Sequence, residues 1–455
     1  MQKSKTFFRS EVNLLDGPIF RALIVFAMPL FISNIFQQLY NTADTMIVGN
    51  YLGASSLAAV GACTPVFDLL VGFALGIGNG LSLVVARGFG AGDEGLLKKS
   101  VACSIVVWAV SSLVLTIVGI QVLRPLLWAL NTPVEIIQES YRYISVIAWF
   151  IFVMFAYNLC AGLMRAIGDS VMPLVFLVVS SLLNIVLDLL LITRFHMGVQ
   201  GAAVATVISQ GVSVLLCILY IGWKVPLLIP QKKHFRFDGA LYWEMCGQGL
   251  SMGFMSSIVS VGSVILQYGI NGLGILVVAG HTAARKLYMF FNMPFIAMAM
   301  AMSTFASQNK GAGQGGRVRK ALKYSYIFDV AAAGVITVFL LFSAPALVKL
   351  ISGSNAPELV HNGSLYLMVV GPFYAVLGVL MQSRCALQGI GEKLLPLISS
   401  VIELVGKIVF VVVFIPWSGY LAVIFCEPAI WCVMTLQLLF SLYRNPFIKR
   451  AGING

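Results

Sequence analysis

Charge is scarce in this chain. Asp, Glu, Lys and Arg make up 10% of its residues, where a water-soluble domain carries about 25%. That shortage excludes an ordinary soluble enzyme. Histidine is scarcer still: His196, His234, His281 and His361 are too scattered to form a catalytic or metal cluster. No nucleophile elbow and no phosphate-binding loop occurs, and the glycines of "GLGILVVAG" from Gly272 fall in a connection between apolar runs, a weak nucleotide signal. These gaps argue against an integral-membrane enzyme and against an ATP-driven pump. The eight cysteines (Cys63, Cys103, Cys160, Cys217, Cys246, Cys385, Cys426, Cys432) lie within apolar runs without metal-ligand pairing. They read as small buried hydrophobes. The first twenty residues are polar and basic with no short apolar core, so no cleaved signal peptide is expected.

Apolar sequence is abundant: 59% of the residues are hydrophobic. A bilayer span needs roughly 20 apolar residues. Twelve such runs are present, near 21–49, 54–86, 100–123, 136–163, 170–193, 199–222, 240–271, 275–307, 322–346, 362–388, 394–416 and 418–443. The expectation is an all-α integral membrane protein of twelve transmembrane helices. The net charge of +12 would suit a nucleic-acid partner, but its distribution argues for topology instead. With the N-terminus placed inside, twenty-one Lys and Arg fall in inner segments, and only Arg124, Arg194 and Lys349 fall outside. That is the positive-inside pattern. It predicts a multi-pass protein with both termini in the cytoplasm, in contact with lipid and not with nucleic acid.

The chain also repeats itself. "GAGDEGLLKKS" (90–100) follows the second run and "GAGQGGRVRKA" (311–321) the eighth; "LMRAIGDSVMPL" (163–174) follows the fourth and "ALQGIGEKLLPL" (386–397) the tenth. Two pseudo-symmetric six-helix lobes of one orientation, a parallel repeat, are therefore expected. They are an N-lobe at 1–222 and a C-lobe at 240–455, joined by a polar cytoplasmic linker at 223–239.

These residues carry a resemblance. The pattern P-x11-N-x2-D-T-x3-G from Pro29 to Gly49, the two "GAG" loops, "RAIGD" and "SLLNIVLDLLL" resemble the multidrug and toxic compound extrusion (MATE) family, over nearly the whole chain. The wording "FQQLYNTADT" is similar to its bacterial MepA-like drug-efflux branch. The resemblance implies a secondary antiporter that expels amphipathic, often cationic, small molecules in exchange for H+ or Na+. It needs no cofactor and is expected to act as a monomer.

Helix rise puts depth on the polar residues. Asp44 precedes the outer end of its run by six residues, ~9 Å, and Asp188 precedes Arg194 by the same interval. Thr206 and Tyr143 lie six and eight residues in from the outer ends of their descending runs, and Asn184 stands one turn below Asp188. Five polar side chains thus fall in one layer. Interhelical hydrogen bonding is the bland account, worth under ~1 kcal/mol each on average. Two carboxylates at one depth without a basic neighbour point further, because such a pair can share a proton and titrate as a unit. The resemblance implies that Asp44, Asp188, Asn184, Tyr143 and Thr206 form a cation site, H+ or Na+, whose occupancy bends the first helix. Sodium-coupled members of the family carry acids in the seventh and tenth runs, and this chain has none there, so coupling is expected in the N-lobe.

Other intramembrane polar groups read less uniquely. Asp68 shares an i,i+4 stripe with Gly72, Gly76 and Gly80 and would sit on a close-packed face, as a substrate contact or a packing feature. Asn41, Arg285, Met289, Phe290 and Met293 are further candidates for substrate contact. Glu403 and Lys407, four apart in the favourable order, suggest a structural ion pair. Arg285, Lys286, Asp329 and Glu427 could form one C-lobe network. A lipid-linked precursor flippase of the same superfamily is the runner-up, kept open by Arg285 and Lys286.

Overall fold

In lipid, every backbone polar group must be satisfied within its own segment, so long apolar runs become helices. The computed structural model describes residues 12–130 and 132–450, and every regular element among them is helical. In chain order they are α1 (Ile19–Leu52), α2 (Ala54–Gly90), α3 (Glu94–Ala129), α4 (Val134–Trp149), α5 (Ile151–Ala166), α6 (Val171–Leu189), α7 (Val199–Lys224), α8 (Gly239–Asn271), α9 (Ile275–Gly311), α10 (Gly315–Ser352), α11 (Pro357–Gly389), α12 (Leu394–Val409), α13 (Ile415–Ser418), α14 (Tyr420–Arg444) and α15 (Pro446–Arg450). Eleven described helices, counted with their short continuations, are long and apolar enough to cross a membrane. α4 and α5, bent by 49°, reach that length and apolarity only as a pair, so the count is eleven, or twelve with the pair taken as one broken span.

Helix ends follow local chemistry. The Asp93 carboxylate accepts from Leu96 N at 2.9 Å and caps α3. Gly353 closes α10 in the left-handed conformation that favours glycine. Asp169 of the "RAIGD" stretch accepts from the backbone of Val171 and Met172 and from the Tyr220 hydroxyl, which pins the start of α6 to α7. The internal repeat survives as geometry. A five-residue π-helical segment follows α6 (Leu190–Arg194) and another follows α12 (Phe410–Phe414). The repeats differ at the fourth span, which is broken at Phe150, whereas its counterpart α11 runs unbroken through Pro372.

The chain packs as two compact units whose boundary does not follow the linker. The first runs to Ser257 and adds Ser307–Gly313; the second is Ile258–Ala306 together with Gln314 onward. Glycine explains why the first part of α8 and the last turn of α9 join the first unit. A Cβ on Gly76 would stand 2.5 Å from Met252 O, and one on Gly80 would stand 2.6 Å from Gln248 O. One on Gly90 would stand 1.9 Å from Gln308 O, and one on Gly311 would stand 2.0 Å from Arg87 O. Only glycine admits backbones this close. Arg87 and Glu244 form an ion pair in the same region, and Gln308 Nε2 donates to Ala166 O at 2.8 Å.

Within the first unit, Leu81, Val85, Leu97, Val101, Phe155 and Leu159 make one apolar core between α2, α3 and α5. A second, around Val48, Val66, Leu127, Ile144, Ala202 and Ala203, also includes Tyr143 of the carboxylate layer. In the second unit α11 packs on both α10 and α14. Its buried Tyr374 stacks on Phe295 at 5.9 Å and on Tyr288 at 5.9 Å.

Candidate coupling site and polar centres

α1 enters its apolar run with Pro29 inside it and reaches Asp44 fifteen residues later. Pro29 cannot donate to the helix ladder, so α1 carries a built-in weak point below the carboxylate. α1 packs on α6, α6 on α7, and α7 on α4. That arrangement brings the Asp44 carboxyl, on α1, within interaction range of Asp188 on α6. Asp188 is fully buried and Asp44 half-buried. Asp44 Oδ1 and both Asp188 oxygens have no hydrogen-bond partner among the described residues, and neither do the Asn184 amide atoms one turn below. Tyr143, buried on α4, lies in the field of both carboxyl groups. It belongs to the same apolar cluster as Ile47, Val48 and Val207.

Thr206 hydrogen-bonds within its own helix. It is on α7, which packs against α1 and α6, but its hydroxyl donates to Ala202 O at 3.0 Å on its own helix. Tyr40 is a neighbour of Asp44 that the depth argument missed. Its i,i+4 spacing from Asp44 was the available signal. Among the described residues no three His, Cys, Asp or Glu side chains gather as a metal site. The layer is instead a pair of carboxyl groups and an amide, all hard oxygen donors, with no Lys or Arg among the described residues ion-paired to them.

Asp68 is exposed on α2. The glycine stripe it belongs to is tight at Gly76 and Gly80 but opens to 3.9 Å from Ser256 Cβ at Gly72. The close-packed face expected for Asp68 therefore ends short of it. Asn41 is exposed on α1.

The second unit holds two separate charged centres. Arg285 on α9 donates to Glu427 Oε2 on α14 at 2.7 Å, the Tyr366 hydroxyl donates to the same oxygen at 3.1 Å, and the guanidinium lies 4.5 Å from the Tyr288 ring. Lys407 Nζ lies 2.8 Å from Glu403 Oε1, and Arg384 Nη2 of α11 approaches Glu403 Oε2 at 3.9 Å. Arg384 was invisible to spacing arguments, because it reaches Glu403 across a turn and a different helix. Two members of the expected four-residue network lie elsewhere: Asp329 is fully buried on α10 against Gln382, and Lys286 is exposed. Helical phase explains this, since Lys286 is rotated by about 100° from Arg285. Met289 and Phe290 are exposed on α9, whereas Met293 is buried in the packed interior. All eight cysteines are free thiols.

Comparison with known proteins agrees with this architecture. The chain is 26% identical over 450 residues to the probable multidrug resistance protein YoeA of Bacillus subtilis, covering 95% of both chains. It is 22% identical over 455 residues to the multidrug export protein MepA of Staphylococcus haemolyticus, covering 96% of this chain and 97% of that one. An outward-facing multidrug resistance MATE family transporter of known structure superposes with a TM-score of 0.89 at 24% identity, over 99% of each chain. The MatE family profile matches residues 29–190 and 252–413, one match in each sequence repeat. This chain is thus a multi-pass membrane protein belonging to the MATE family of transporters.

Proposed function

We propose that the protein is a secondary active antiporter that exports amphipathic small molecules, cationic ones among them, in exchange for inward H+ or Na+. The carrying observation is the meeting of Asp44 and Asp188, with orphaned oxygens and no basic partner. Two carboxylates in a low-dielectric layer repel one another, and a cation bound between them removes that cost. The Asn184 amide oxygen and the Asp44 and Asp188 oxygens are the donors that would hold a proton or a sodium ion. Tyr143 and Thr206 flank this layer. In the first unit, exposed Asp68 and Asn41 suit the charge of a cationic substrate. In the second, exposed Met289 and Phe290 offer adaptable apolar surface of their own. The names of the Bacillus and Staphylococcus relatives, multidrug resistance and multidrug export, support the substrate class.

Exchange follows if ion and substrate favour opposite states of one equilibrium. The N-lobe (1–222) and C-lobe (240–455), linked through 223–239, are the two repeats of this transport cycle, with α1 bending at Pro29. One chain holds the whole carboxylate layer, so a monomer suffices. The test is substrate-stimulated proton or sodium release from the purified protein. Addition of a transported amphiphile should displace ion; substrate binding that leaves both ions untouched would overturn the antiport reading.

The basic-loop count supports a cytoplasmic position for both termini and the linker, and the bacterial relatives support a bacterial membrane. In a cysteine-free background, a thiol at exposed position Phe237 should resist an impermeant outside reagent, and one at exposed Tyr51 should react. The reverse pattern would invert the topology.

A further inference from the structure

We propose that one face of α9 binds the acidic group of an amphiphilic substrate, so that the exported class includes anions as well as cations. This rests on the reading of the protein as an exporter of amphiphiles. Thr282, Lys286, Met289 and Phe290 are exposed on α9, and the Arg285 side chain beside them is 31% exposed. At helical spacing these five make one contiguous stripe. Lys286 forms no ion pair among the described residues. It lies eleven residues, ~16 Å, from the nearer end of a span of 37 residues. A lysine on a membrane-spanning helix faces a water-filled path or the protein interior, or reaches along its stem to the headgroups.

The acids of this part of the chain cannot neutralise that stripe. Glu427, 8% exposed, is already held by Arg285 and Tyr366. Glu403, 13% exposed, is shared between Lys407 and Arg384. Asp329 is fully buried on α10 against Gln382. Four basic groups (Arg285, Lys286, Arg384, Lys407) therefore face three acids, and the group without a counter-charge is the exposed one. Apolar contact is supplied on the same stripe by Met289 and Phe290. Behind Arg285, Tyr288 is fixed by stacking on Tyr374 at 5.9 Å and Trp431 at 6.1 Å, which holds the guanidinium in place. A carboxylate, sulfonate or phosphate attached to an aromatic or alkyl body matches this layout: its charge meets Lys286 and the exposed edge of Arg285, and its body lies on Met289 and Phe290.

The test uses two probes with one body and opposite charge, pyrenebutyrate and pyrenebutyl-trimethylammonium, titrated by fluorescence into the purified full-length protein against an empty-detergent control. Lys286→Glu should weaken pyrenebutyrate about tenfold and leave the cation unchanged or tighter. Lys286→Gln should give an intermediate loss, and Phe290→Ala should weaken both probes alike. Because Lys286 is exposed and unpaired, an unshifted thermal midpoint is expected for its variants and is measured alongside. Absence of pyrenebutyrate binding above the control would overturn the proposal. So would an equal effect of Lys286→Glu on both probes, or no effect on either, the result expected of a lysine that only reaches to lipid headgroups. Binding here is at equilibrium without a gradient. A protein that keeps the anion site yet releases no ion would overturn the antiport reading alone, and one that exchanges ions but ignores pyrenebutyrate would overturn this proposal alone.

Discussion

Asp44→Asn is expected to abolish gradient-driven efflux from proteoliposomes, a loss of about a hundredfold, the upper end of ordinary coupling free energies. Asparagine keeps the size and hydrogen-bonding capacity of the side chain but cannot bind and release a proton, and it is a weaker sodium ligand. The half-buried Asp44 meets Asp188 with no basic residue ion-paired to either, so removing one negative charge also removes the repulsion that makes a bound cation favourable. Substrate should still bind, because the exposed groups proposed to touch it are unchanged, but its addition should no longer release ion. Asp188→Asn should be similarly or somewhat less damaging, and Asp68→Asn should shift substrate preference before it affects coupling. A folded Asp44→Asn protein that still drives efflux uphill with wild-type gradient dependence would place the coupling elsewhere.

Glu403→Gln should destabilise the protein by about 3–5 kcal/mol, the usual effect of stripping one partner from a buried ion pair. The reason is the third member of the centre. Without Glu403, the Lys407 ammonium, 3% exposed, and the Arg384 guanidinium, 14% exposed, remain buried with no shared anion. Lys407→Met should cost less, because Glu403 keeps Arg384 at 3.9 Å. The Lys407 stem also packs where Gly262 leaves room for it, with 3.1 Å between Lys407 Cδ and a Cβ built there, so an unbranched apolar replacement keeps that contact. Combining the two changes should restore most of the loss in the thermal midpoint, since the double variant removes a cation and an anion together. Additive losses would show that Glu403 and Lys407 act separately.

The number of spans, the repeat and the depth of the carboxylates were legible in the sequence because each depends on a one-dimensional quantity. Bilayer thickness sets the length of apolar run, loop charge encodes orientation, and the rise of 1.5 Å per residue converts position to depth. Asp44 and Asp188 could be placed in one layer on that basis alone, and so could the i,i+4 neighbours Asn184 and Asp188 or Glu403 and Lys407. What depth leaves open is azimuth: whether two side chains at one level on different helices face each other. Helix packing alone decided that Asp188 meets Asp44, that Thr206 spends its hydroxyl on Ala202, and that Arg384 joins Glu403. It also decided that Asp329 lies against Gln382 and that Glu427 pairs with Arg285, leaving Lys286 exposed. The same holds for the glycines. Their i,i+4 spacing marked a smooth stripe on α2, but only the approach of α8 and α9 showed where a single added methyl would collide with backbone, at Gly76, Gly80 and Gly90, and where it would not, at Gly72 and beyond it toward Asp68. Periodicity along one helix determined which residues share a face and a depth; the rotation of each helix against its neighbours, set by side-chain packing between segments distant in the chain, determined which of those faces meet.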